Sequence, residues 1–577
     1  MALAIGLDTA VKALRAHQVA VDVASHNIAN AQTPGFSRQR VLLRPIGITG
    51  ADRSSHDSLL GRAGMGVDAS DVRRMRDLFL DFQARQTLGA KGQYSAYSAP
   101  LSNAEVVFND PTDDGVGSLL GKFWASWHDV VNDPESSAAR ITLVHTTSTL
   151  TSRLQRAHSD LTLQRADLNQ RVSGIADQIN SAAEGIAALN FQIKQVELSG
   201  DVANDLRDQR DLLLDQLSTL GQVSYTEQQD KTVTVYLGNR ELVTTSISRG
   251  VAAVTDLANP GMNKLVFSAD GSAVDSTTGE IRGILDARDV ALPGVIAKLN
   301  TLAAGLIGSV NSIHQNGYGL DSSTGNAFFT GTDASNIALN AVIAGNTGKI
   351  AAASGPASPG DGSLALAIAN LQLAPFMVAG TAAANLAIGE SLSAGNVASG
   401  ITIGSSLQAG QYFLTANGAD LDLRLGSALG PVVGTATLAD IAPGTGMITF
   451  LSGGATVATI QVNNTNAGNY TAAAQQADLL AAGNNTLQVE ASTDAFYANM
   501  VAVFGADVSR AESLAESSTL LNNHLEGLRQ STSGVNLDEE ISNLNAAQHA
   551  YQAAARVITS IDEMLETLIN RTGMVGR

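Results

Sequence analysis

Between residues 154 and 196 an apolar residue recurs at every seventh position, and this repeat restricts the possible folds more than any other feature of the sequence. Its members are Leu154, Leu161, Leu168, Ile175, Ala182, Leu189 and Val196, with Val172, Ile179, Ile186 and Ile193 at a second seam position. Apolar residues spaced alternately three and four apart share one face of an α-helix. Burial of each Leu or Ile contributes about 1.5–3 kcal/mol. We therefore predict one long helix that holds a helical bundle together without a ligand.

The two ends of the chain carry the same spacing. The predicted seam residues are Leu7, Leu14, Val21 and Ile28 near the N-terminus, and Leu537, Ile541, Leu544, Tyr551, Ile558 and Leu565 near the C-terminus. Many neighbouring positions are alanine, and an alanine-rich helix of this length is only marginally stable by itself. We predict that the terminal helices pair as a coiled coil used in assembly, and that residues 1–30 and 537–577 are mobile in the monomer.

Two regions between the helices have strand patterns instead. Residues 232–237 and 240–245 are rich in β-branched side chains and flank Gly238-Asn239, which predicts a hairpin. Residues 336–489 contain only eight charged side chains, whereas 15% of the whole chain is charged. The apolar runs there, at 401–403, 411–414 and 447–451, favour a β-sandwich or barrel over disorder, because disordered segments are rich in charge.

These patterns predict an α+β multidomain protein with long terminal coiled-coil helices, a helical-bundle domain and β-rich inserted domains. The expected segments are an N-terminal axial helix and arm at 1–85, helical-domain segments at 86–225, 286–335 and 490–532, a small β-rich insertion at 226–285, a β-rich insert at 336–489 and a C-terminal axial helix at 533–577. The chain would thus leave the helical domain twice and return to it twice.

The composition argues against several classes of function. The chain has 35 Lys and Arg against 54 Asp and Glu, a net charge of -19, which repels nucleic acid and anionic membranes. It contains no cysteine, no H-E-x-x-H zinc pattern and no G-x-x-x-x-G-K-[ST] phosphate loop. No uncharged apolar run reaches the roughly 18 residues of a membrane-spanning helix. We predict no catalytic, metal-binding or cofactor-binding residues, no enzymatic activity and no membrane insertion.

Three groups of side chains have structural interpretations. Five aspartates, Asp201, Asp205, Asp208, Asp211 and Asp215, are interleaved with Arg207 and Arg210, which favours ion pairs along one helix over a cation site. Arg73, Arg74 and Arg76 form the densest basic group, for which a solvent-exposed face is favoured over contact with an acidic neighbour in an assembly. Phe123, Trp124 and Trp127 are expected to hold the helical domain together.

Residues 27–39, NIANAQTPGFSRQ, combine a helix stop with a turn. Pro34 disfavours a helical residue before it, and Gly35 permits the turn that sends the chain outward. The whole string resembles the N-terminal signature of the flagellar axial proteins, the family of rod, hook and hook-associated subunits. Its signature residues are Asn27, Asn30, Thr33, Pro34, Gly35 and Ser37.

The C-terminal strings SGVNLDEEI at 533–541 and AYQAAARVI at 550–558 resemble the matching signature of the hook-associated members of this family. Asn536 is suited to cap the helix that follows, and the acidic residues after it favour the positive end of that helix. The signature residues here are Gly534, Asn536, Leu537, Glu540, Tyr551, Ala554 and Arg556. Two interior strings, NDLRDQRD at 204–211 and FFTGTD at 328–333, are similar to the members that join hook to filament.

The resemblance implies a structural subunit at the junction of hook and filament, assembled as a helical tubular array around the export channel and required for filament assembly. It implies as partners other copies of the chain, the hook subunit, a second hook-associated protein, and an export chaperone at the C-terminal helix. It also implies export from the cytoplasm by the flagellar type III system and an extracellular place in the flagellum. The alternatives are another rod or hook subunit, or a surface adhesion protein acting through residues 336–489.

Overall fold

A computed structural model describes residues 2–46, 66–108, 110–374, 377–379, 398–403, 410–417, 420–425, 431–436, 447–452, 455–462, 486–489 and 492–570. The chain divides into two compact units. The terminal unit comprises Met1–Tyr97, Asn169–Leu285 and Ala511–Arg577, and the central unit comprises Ser98–Leu168 and Asp286–Arg510. Each unit collects segments that are far apart in sequence. Residues 571–577, the end of the predicted C-terminal helix, lie outside the described residues.

Helices dominate the described residues. They are α1 Ala2–Asn30, α2 Leu78–Phe108, α3 Val116–Asn132, α4 Ser137–Leu198, α5 Asn204–Leu220, α6 Glu280–Asp286, α7 Leu292–His314, α8 Ala341–Gly345, α9 Ser363–Ala369, α10 Thr493–Ser533 and α11 Leu537–Asn570. A π-helical segment, Ala287–Ala291, joins α6 to α7. The predicted pairing of the chain ends is confirmed, because α1 packs against α11 within the terminal unit.

The long helix predicted from the seven-residue repeat is α4, which has 62 residues and is about 93 Å long at 1.5 Å per residue. Its second seam is fully buried at Val172, Ile179, Ile186 and Ile193. The first seam is buried from Leu154 to Ala182 and only half-buried at Leu189 and Val196. The repeat therefore predicted both the helix and the face that it buries.

Small antiparallel sheets complete the terminal unit. Strands β1 Gln39–Pro45 and β2 Val67–Arg74 pair with a bulge between Leu42 and Leu43. Strands β3 Val223–Glu227, β4 Val233–Leu237, β5 Arg240–Thr244 and β6 Ile247–Ser248 form a meander, and β7 Val251–Thr255 pairs with β8 Asn263–Phe267. The predicted hairpin is β4–β5, and Gly238 in its turn has a φ of 62°, a backbone conformation that suits glycine.

The central unit has an aromatic core. Phe123, Trp124 and Trp127 on α3 are at most 1% exposed, and the ring centroid of Trp127 lies 5.1 Å from that of Phe328. The expectation that this group holds the helical domain together is thereby supported. Phe328 and Phe329 belong to the FFTGTD string and lead into β9 Phe329–Thr330, which pairs with β10 Ala338–Leu339.

One continuous helical stretch, Glu280–His314, is long and apolar enough to cross a membrane by length and composition. The sequence criterion of an uncharged apolar run did not select this stretch, because a single lysine, Lys298, interrupts the apolar part of α7. The most apolar window of this stretch is 39% buried within the structure, and Leu299, Leu302 and Leu306 on α7 are fully buried. We therefore assign α7 to the protein core.

The low-charge insert contains an antiparallel sheet of eight strands among the described residues. They are β11 Met377–Ala379, β12 Ala398–Ile403, β13 Gly410–Asn417, β14 Asp420–Leu425, β15 Val432–Ala436, β16 Met447–Ser452, β17 Ala455–Val462 and β18 Thr486–Val489, in the order β11-β18-β13-β14-β15-β16-β17-β12. The three predicted apolar runs all lie in these strands. Residues 336–374, assigned to the same insert from their low charge, instead form β10, α8 and α9 with buried Ile343, Ile350 and Ile368.

Candidate functional site

The N-terminal signature ends α1 and reverses the chain. Helix α1 stops at Asn30, and the Phe36 N–H donates to the Thr33 carbonyl at 3.1 Å across Pro34 and Gly35. Gly35 has a φ of 80°, which matches the glycine position of a type II turn that begins with proline. A Cβ at Gly35 would lie only 3.2 Å from Leu212. The turn delivers Ser37, Arg38 and Gln39 to the inside of the terminal unit.

A set of hydrogen bonds, which we call the terminal clasp, joins Asn27, Arg38 and Gln39 to Glu539 and Glu540. The Asn27 amide donates to Glu540 Oε2 at 2.9 Å and to the Gln39 carbonyl at 2.8 Å, and it accepts from the Gln39 N–H at 2.9 Å. The Arg38 guanidinium donates to Glu540 Oε1 at 2.7 Å and to Glu539 Oε2 at 2.8 Å. Asn27 is 1% exposed and Glu540 is 3% exposed. The N-terminal and C-terminal signatures therefore bind each other directly.

The C-terminal signature positions the two glutamates. A Cβ at Gly534 would lie 2.4 Å from the Gln530 carbonyl oxygen, to which the Gly534 N–H donates at 2.7 Å, so glycine is required where α10 ends. The Asn536 side chain accepts from the Asp538 N–H at 3.0 Å and caps α11, as predicted. Glu539 and Glu540 then lie in the first turn of α11, where the helix dipole favours negative charge.

A second group, the arginine–aspartate cluster, contains Asp81, Asp208, Asp211 and Asp215 with Arg74, Arg76, Arg85 and Arg529. Three of the aspartates are spaced three and four residues apart on α5 and therefore share one face of that helix. Asp208 accepts from the Ser37 N–H at 2.8 Å and from the Ser37 hydroxyl at 2.7 Å. The cluster thus also holds the segment that follows the N-terminal turn.

The four arginines come from β2, from the connection between β2 and α2, from α2 and from α10. Arg74 at the end of β2 donates to Asp208 at 2.8 Å and to Asp211 at 2.7 Å. Further bonds join Arg76 to Asp81 at 2.7 and 2.9 Å, Arg85 to Asp215 at 2.7 Å and Arg529 to Asp215 at 2.7 Å. Four carboxylates meet four guanidinium groups, so the cluster is formally neutral. It connects β2, α2, α5 and α10.

Opposite charges overcome the cost of burial at Asp211 and Arg76, whereas burial has the larger effect at Asp208. Burial acts to raise the pKa of Asp211, but Arg76, Arg74 and Arg85 hold that pKa well below its usual range. Burial acts to lower the pKa of Arg76, yet Asp211 and Asp81 raise it above the ordinary arginine value. For Asp208, burial raises the pKa against the lowering effects of Arg74 and Ser37. Breaking such a network by removing one partner typically costs about 3–5 kcal/mol.

Two predictions about charged residues were wrong. Arg74 and Arg76 do not form a solvent-exposed face, since their side chains are 15% and 6% exposed, and only Arg73, at 61%, remains outside. The α5 aspartates do not pair with Arg207 and Arg210. Arg207 donates to Glu197 at 2.7 Å, and Arg210 donates to the Asn190 side chain at 3.1 Å. The aspartate face of α5 is filled by arginines from other segments.

The predicted seams of the terminal helices are only partly buried. Leu7, Leu14, Val21 and Ile28 on α1 are half-buried, as are Leu544, Ile558 and Leu565 on α11. Leu537, Ile541 and Tyr551 are 45%, 49% and 36% exposed. Helix α11 instead buries Glu540, Ala547, Ala554 and Ile561, which are also seven apart. The predicted seam therefore lies beside the one that packs within the chain, and its role in assembly stays a prediction.

The remaining signature residues have local roles or lie on the surface. The Asn30 side chain donates to the His26 carbonyl at 3.1 Å, and the Thr33 hydroxyl donates to Asn30 Oδ1 at 3.2 Å. Arg556 is exposed. Within the described ranges no group of three or more His, Asp or Glu side chains is arranged to hold a metal ion. The arrangement of charges supports a structural role, because each buried carboxylate of the cluster is matched by a guanidinium group.

Sequence reasoning missed Asp81, Arg85 and Arg529. Arg529 and Asp81 approach to 3.5 Å although they are remote in sequence, so no spacing rule connects them. The one available signal was the NDLRDQRD string, which contains Asp208 and Asp211 but does not indicate their partners.

Three family models match separate parts of the chain. The model described as the helical domain of the flagellar hook-associated protein FlgK matches residues 101–329. The flagella basal body rod protein model matches residues 7–36, and the C-terminal model of the flagellar basal body rod FlgEFG protein matches residues 529–571. These last two matches include Asn27 and Glu540, which the terminal clasp joins.

Among known proteins, the flagellar hook-associated protein 1 of Bacillus subtilis (strain 168) is 27% identical over 601 residues, covering 99% of this chain and 99% of its own. The protein of the same name from Escherichia coli (strain K12) is 28% identical over 333 residues, covering 56% of this chain and 59% of its own. A solved structure of the flagellar hook junction protein FlgK from Burkholderia pseudomallei aligns with 72% of this chain and 63% of its own at 21% identity, with a TM-score of 0.41.

Proposed function

We propose that this chain belongs to the flagellar hook-associated protein 1 family and is the structural subunit that joins hook to filament in the bacterial flagellum. The similarity to the Bacillus subtilis protein over 99% of both chains carries this conclusion, since it includes both terminal signatures and the helical domain. In this role the chain assembles with other flagellar hook components as a helical tubular array around the export channel and is required for filament assembly.

The terminal clasp supports this role at the level of geometry. It binds the end of α1 to the first turn of α11 through buried hydrogen bonds, and Asp208 of the arginine–aspartate cluster holds Ser37, which follows α1. A subunit of a tube must present the same contact surfaces in every copy, because each heterologous contact is repeated along the array. Buried, fully bonded polar groups restrict a structure to one arrangement more strictly than apolar contacts do.

The specific partners in this proposal are other copies of the chain, the hook subunit at one end of the junction and a second hook-associated protein at the other. An export chaperone would bind the C-terminal helix before assembly. The binding of a chaperone is supported by the exposed apolar side chains of α11, which are Leu537, Ile541 and Tyr551. A bound chaperone would shield these side chains from water and from other proteins in the cytoplasm. The chain would then leave the cytoplasm through the flagellar type III system and function outside the cell.

The principal alternative is another rod or hook subunit. Rod-type models match only residues 7–36 and 529–571, whereas the hook-associated helical-domain model matches 101–329. That longer match favours the junction over the rod and the hook itself.

Deletion of residues 537–577 in the native cell tests the function directly. We expect hooks without filaments by electron microscopy, and flagellin lost to the medium by immunoblotting. Normal filaments on the deletion strain would contradict the junction role.

A point variant sharpens this test. Glu540→Ala removes the carboxylate that accepts from Asn27 and Arg38, and we expect it to reduce the fraction of hooks that carry filaments. The matched control is Glu566→Ala, which removes an exposed carboxylate from the same helix and should leave that fraction unchanged. Equal effects of the two variants would show that the clasp has no part in assembly.

A further inference from the structure

The first turns of helix α2 expose three large apolar side chains. Its first turns bury Asp81, Ala84 and Arg85. Leu78, Phe79 and Phe82, which lie beside this buried strip, are 73%, 66% and 52% exposed. A surface helix normally buries its apolar face and exposes its polar one. We call the exposed group the aromatic patch.

Helix α10 also exposes large apolar side chains in the terminal unit. It buries Ala511, Ser518 and Leu525, whereas Leu514, Leu521 and Leu528 are 41%, 50% and 40% exposed. These three leucines, which we call the leucine stripe, are seven residues apart. A seven-residue repeat of leucine is the pattern of a helix seam that packs against a partner. Two of the three buried positions are small or polar, whereas all three positions of the leucine stripe, which flanks the buried seam, are leucines.

When both surfaces are used together, the exposed area comes close to the lower limit for a specific contact. With about 200 Å² for a phenylalanine side chain and somewhat less for leucine, the patch exposes roughly 350 Å² and the stripe roughly 200 Å². Interfaces are about 60% apolar, so an apolar centre of this size corresponds to a total buried area of roughly 900 Å². Specific interfaces begin near 1,000 Å², and a tube subunit contacts several neighbours.

We propose that the aromatic patch of one copy of this chain packs on the leucine stripe of the next copy. The proposal rests on the proposed function, in which identical subunits form a tube. A contact between two different surfaces of the same protein is heterologous and can repeat without closing, and this chain carries two such surfaces. Copies with a net charge of -19 repel one another, so apolar burial is the contribution that brings them together.

Site-specific cross-linking tests this pairing, because the chain contains no cysteine. The double variant Phe79→Cys with Leu521→Cys, expressed in place of the native chain, is treated with a short bismaleimide on isolated hook–filament structures. We expect the monomer band to be lost to a ladder of covalent multimers on denaturing gels. Each single variant should give no ladder. The matched control, Leu257→Cys with Leu521→Cys, uses another exposed leucine of the terminal unit, 93% exposed, and should also give none.

A second pair, Phe82→Cys with Leu514→Cys, covers the case in which the first variant fails to fold or to be exported. If a double variant is incorporated into hook–filament structures and gives no ladder, the proposal is overturned. A cross-link from the single variant Phe79→Cys to the hook subunit, or to Phe79→Cys of another copy, also overturns it. Immunolabelling separates this failure from failure of the proposed function. A chain present at the junction without a ladder refutes the pairing alone, whereas a chain absent from the junction refutes the function. In that case, cross-linking of the purified double variant at high concentration tests the pairing independently of its place in the flagellum.

Discussion

The carboxylate of Asp211 accepts hydrogen bonds from three guanidinium groups, those of Arg74, Arg76 and Arg85. Asp211→Asn removes the charge and leaves the buried arginines in excess by one. We expect the free energy of unfolding of the terminal unit to fall by about 3–5 kcal/mol. Hydrogen exchange measured by mass spectrometry on peptides of α5 would show this as faster exchange in denaturant.

The control for this variant lies in the same acidic series. Asp201→Asn removes an exposed carboxylate just before α5, and changes of that kind usually alter stability by no more than about 0.5 kcal/mol. Equal protection of α5 in the two variants would mean that the cluster contributes nothing specific to stability.

His314 makes the stability of the central unit depend on pH. Its Nε2 accepts from the Ala351 N–H at 2.9 Å, so the neutral ring carries its proton on Nδ1 and donates to the Asn326 carbonyl at 2.7 Å. Burial lowers the pKa of His314 to about 4, against the raising effect of the Asn326 bond and together with the lowering effect of Arg140. In the unfolded chain the pKa is about 6.5, so between these values the unfolded state binds more protons.

Stability from this group is therefore complete above pH of about 6.5 and falls as the pH is lowered toward 4, by an amount on the order of 3 kcal/mol. Tryptophan fluorescence during denaturant unfolding measures it, because both tryptophans, Trp124 and Trp127, lie in the same unit. His314→Gln should flatten the dependence in this window. His128→Gln, at an exposed position of α3, should retain it, and a slope unchanged by His314→Gln would contradict the assignment.

At the scale of elements, the α1–α11 pair is held strongly at one end and weakly at the other. The clasp lies at Asn27 and Glu540, while the far end packs through small contacts such as Gly6 against Ile561, where a Cβ would be 3.4 Å from the isoleucine. Alanine faces bury little area, and alanine-rich helices are marginal alone. We expect amide exchange in the dilute monomer to be slowest near the clasp and to quicken toward residues 2 and 570.

Glu540→Ala should abolish this gradient by making both helices exchange quickly along their whole length, whereas Glu566→Ala should preserve it. Uniform protection of the termini in the unmodified monomer would contradict both this gradient and the mobility predicted for residues 1–30 and 537–577.

The spacing of apolar residues predicted the helices and strands better than it predicted the residues that they contact. The repeat through Leu154 and Leu161 indicates a helix because side-chain burial and helical geometry have the same period, and the hairpin at Gly238 follows from local turn chemistry. The seam of α11 that faces α1 was predicted less well, because Ala547 and Ala554 form a weaker apolar signal than Leu537 and Tyr551. The arginine–aspartate cluster could not be predicted from the sequence, because its contacts join Arg74 and Arg529 to α5 across long sequence separations.

At the scale of the whole molecule, the chain enters and leaves the eight-stranded sheet at adjacent positions. Met377 on β11 is paired with Val489 on β18, and Gln372 before the sheet donates to Asp494 after it at 2.8 Å. Replacing residues 377–489 by a short Gly-Ser linker therefore requires no long connection. We expect the shortened chain to fold, to be exported and to support normal filaments, as shown by electron microscopy and swimming assays.

Surface attachment should be measured on the same strain. Loss of attachment with normal swimming would assign the insert a separate adhesive function, and loss of filaments would contradict the expectation that the sheet is dispensable for the junction. Deletion of α4, Ser137–Leu198, serves as the control that abolishes assembly.

The terminal clasp also has a consequence for the order of synthesis. Asn27 and Glu540 are 513 positions apart, so a ribosome makes the first partner long before the second. A chain that stops early retains α1, the turn at Gly35 and the cluster residues of α5, yet Asn27 and Arg38 have nothing to close on. The terminal clasp can therefore form only after the segment that contains Glu540 has been synthesised.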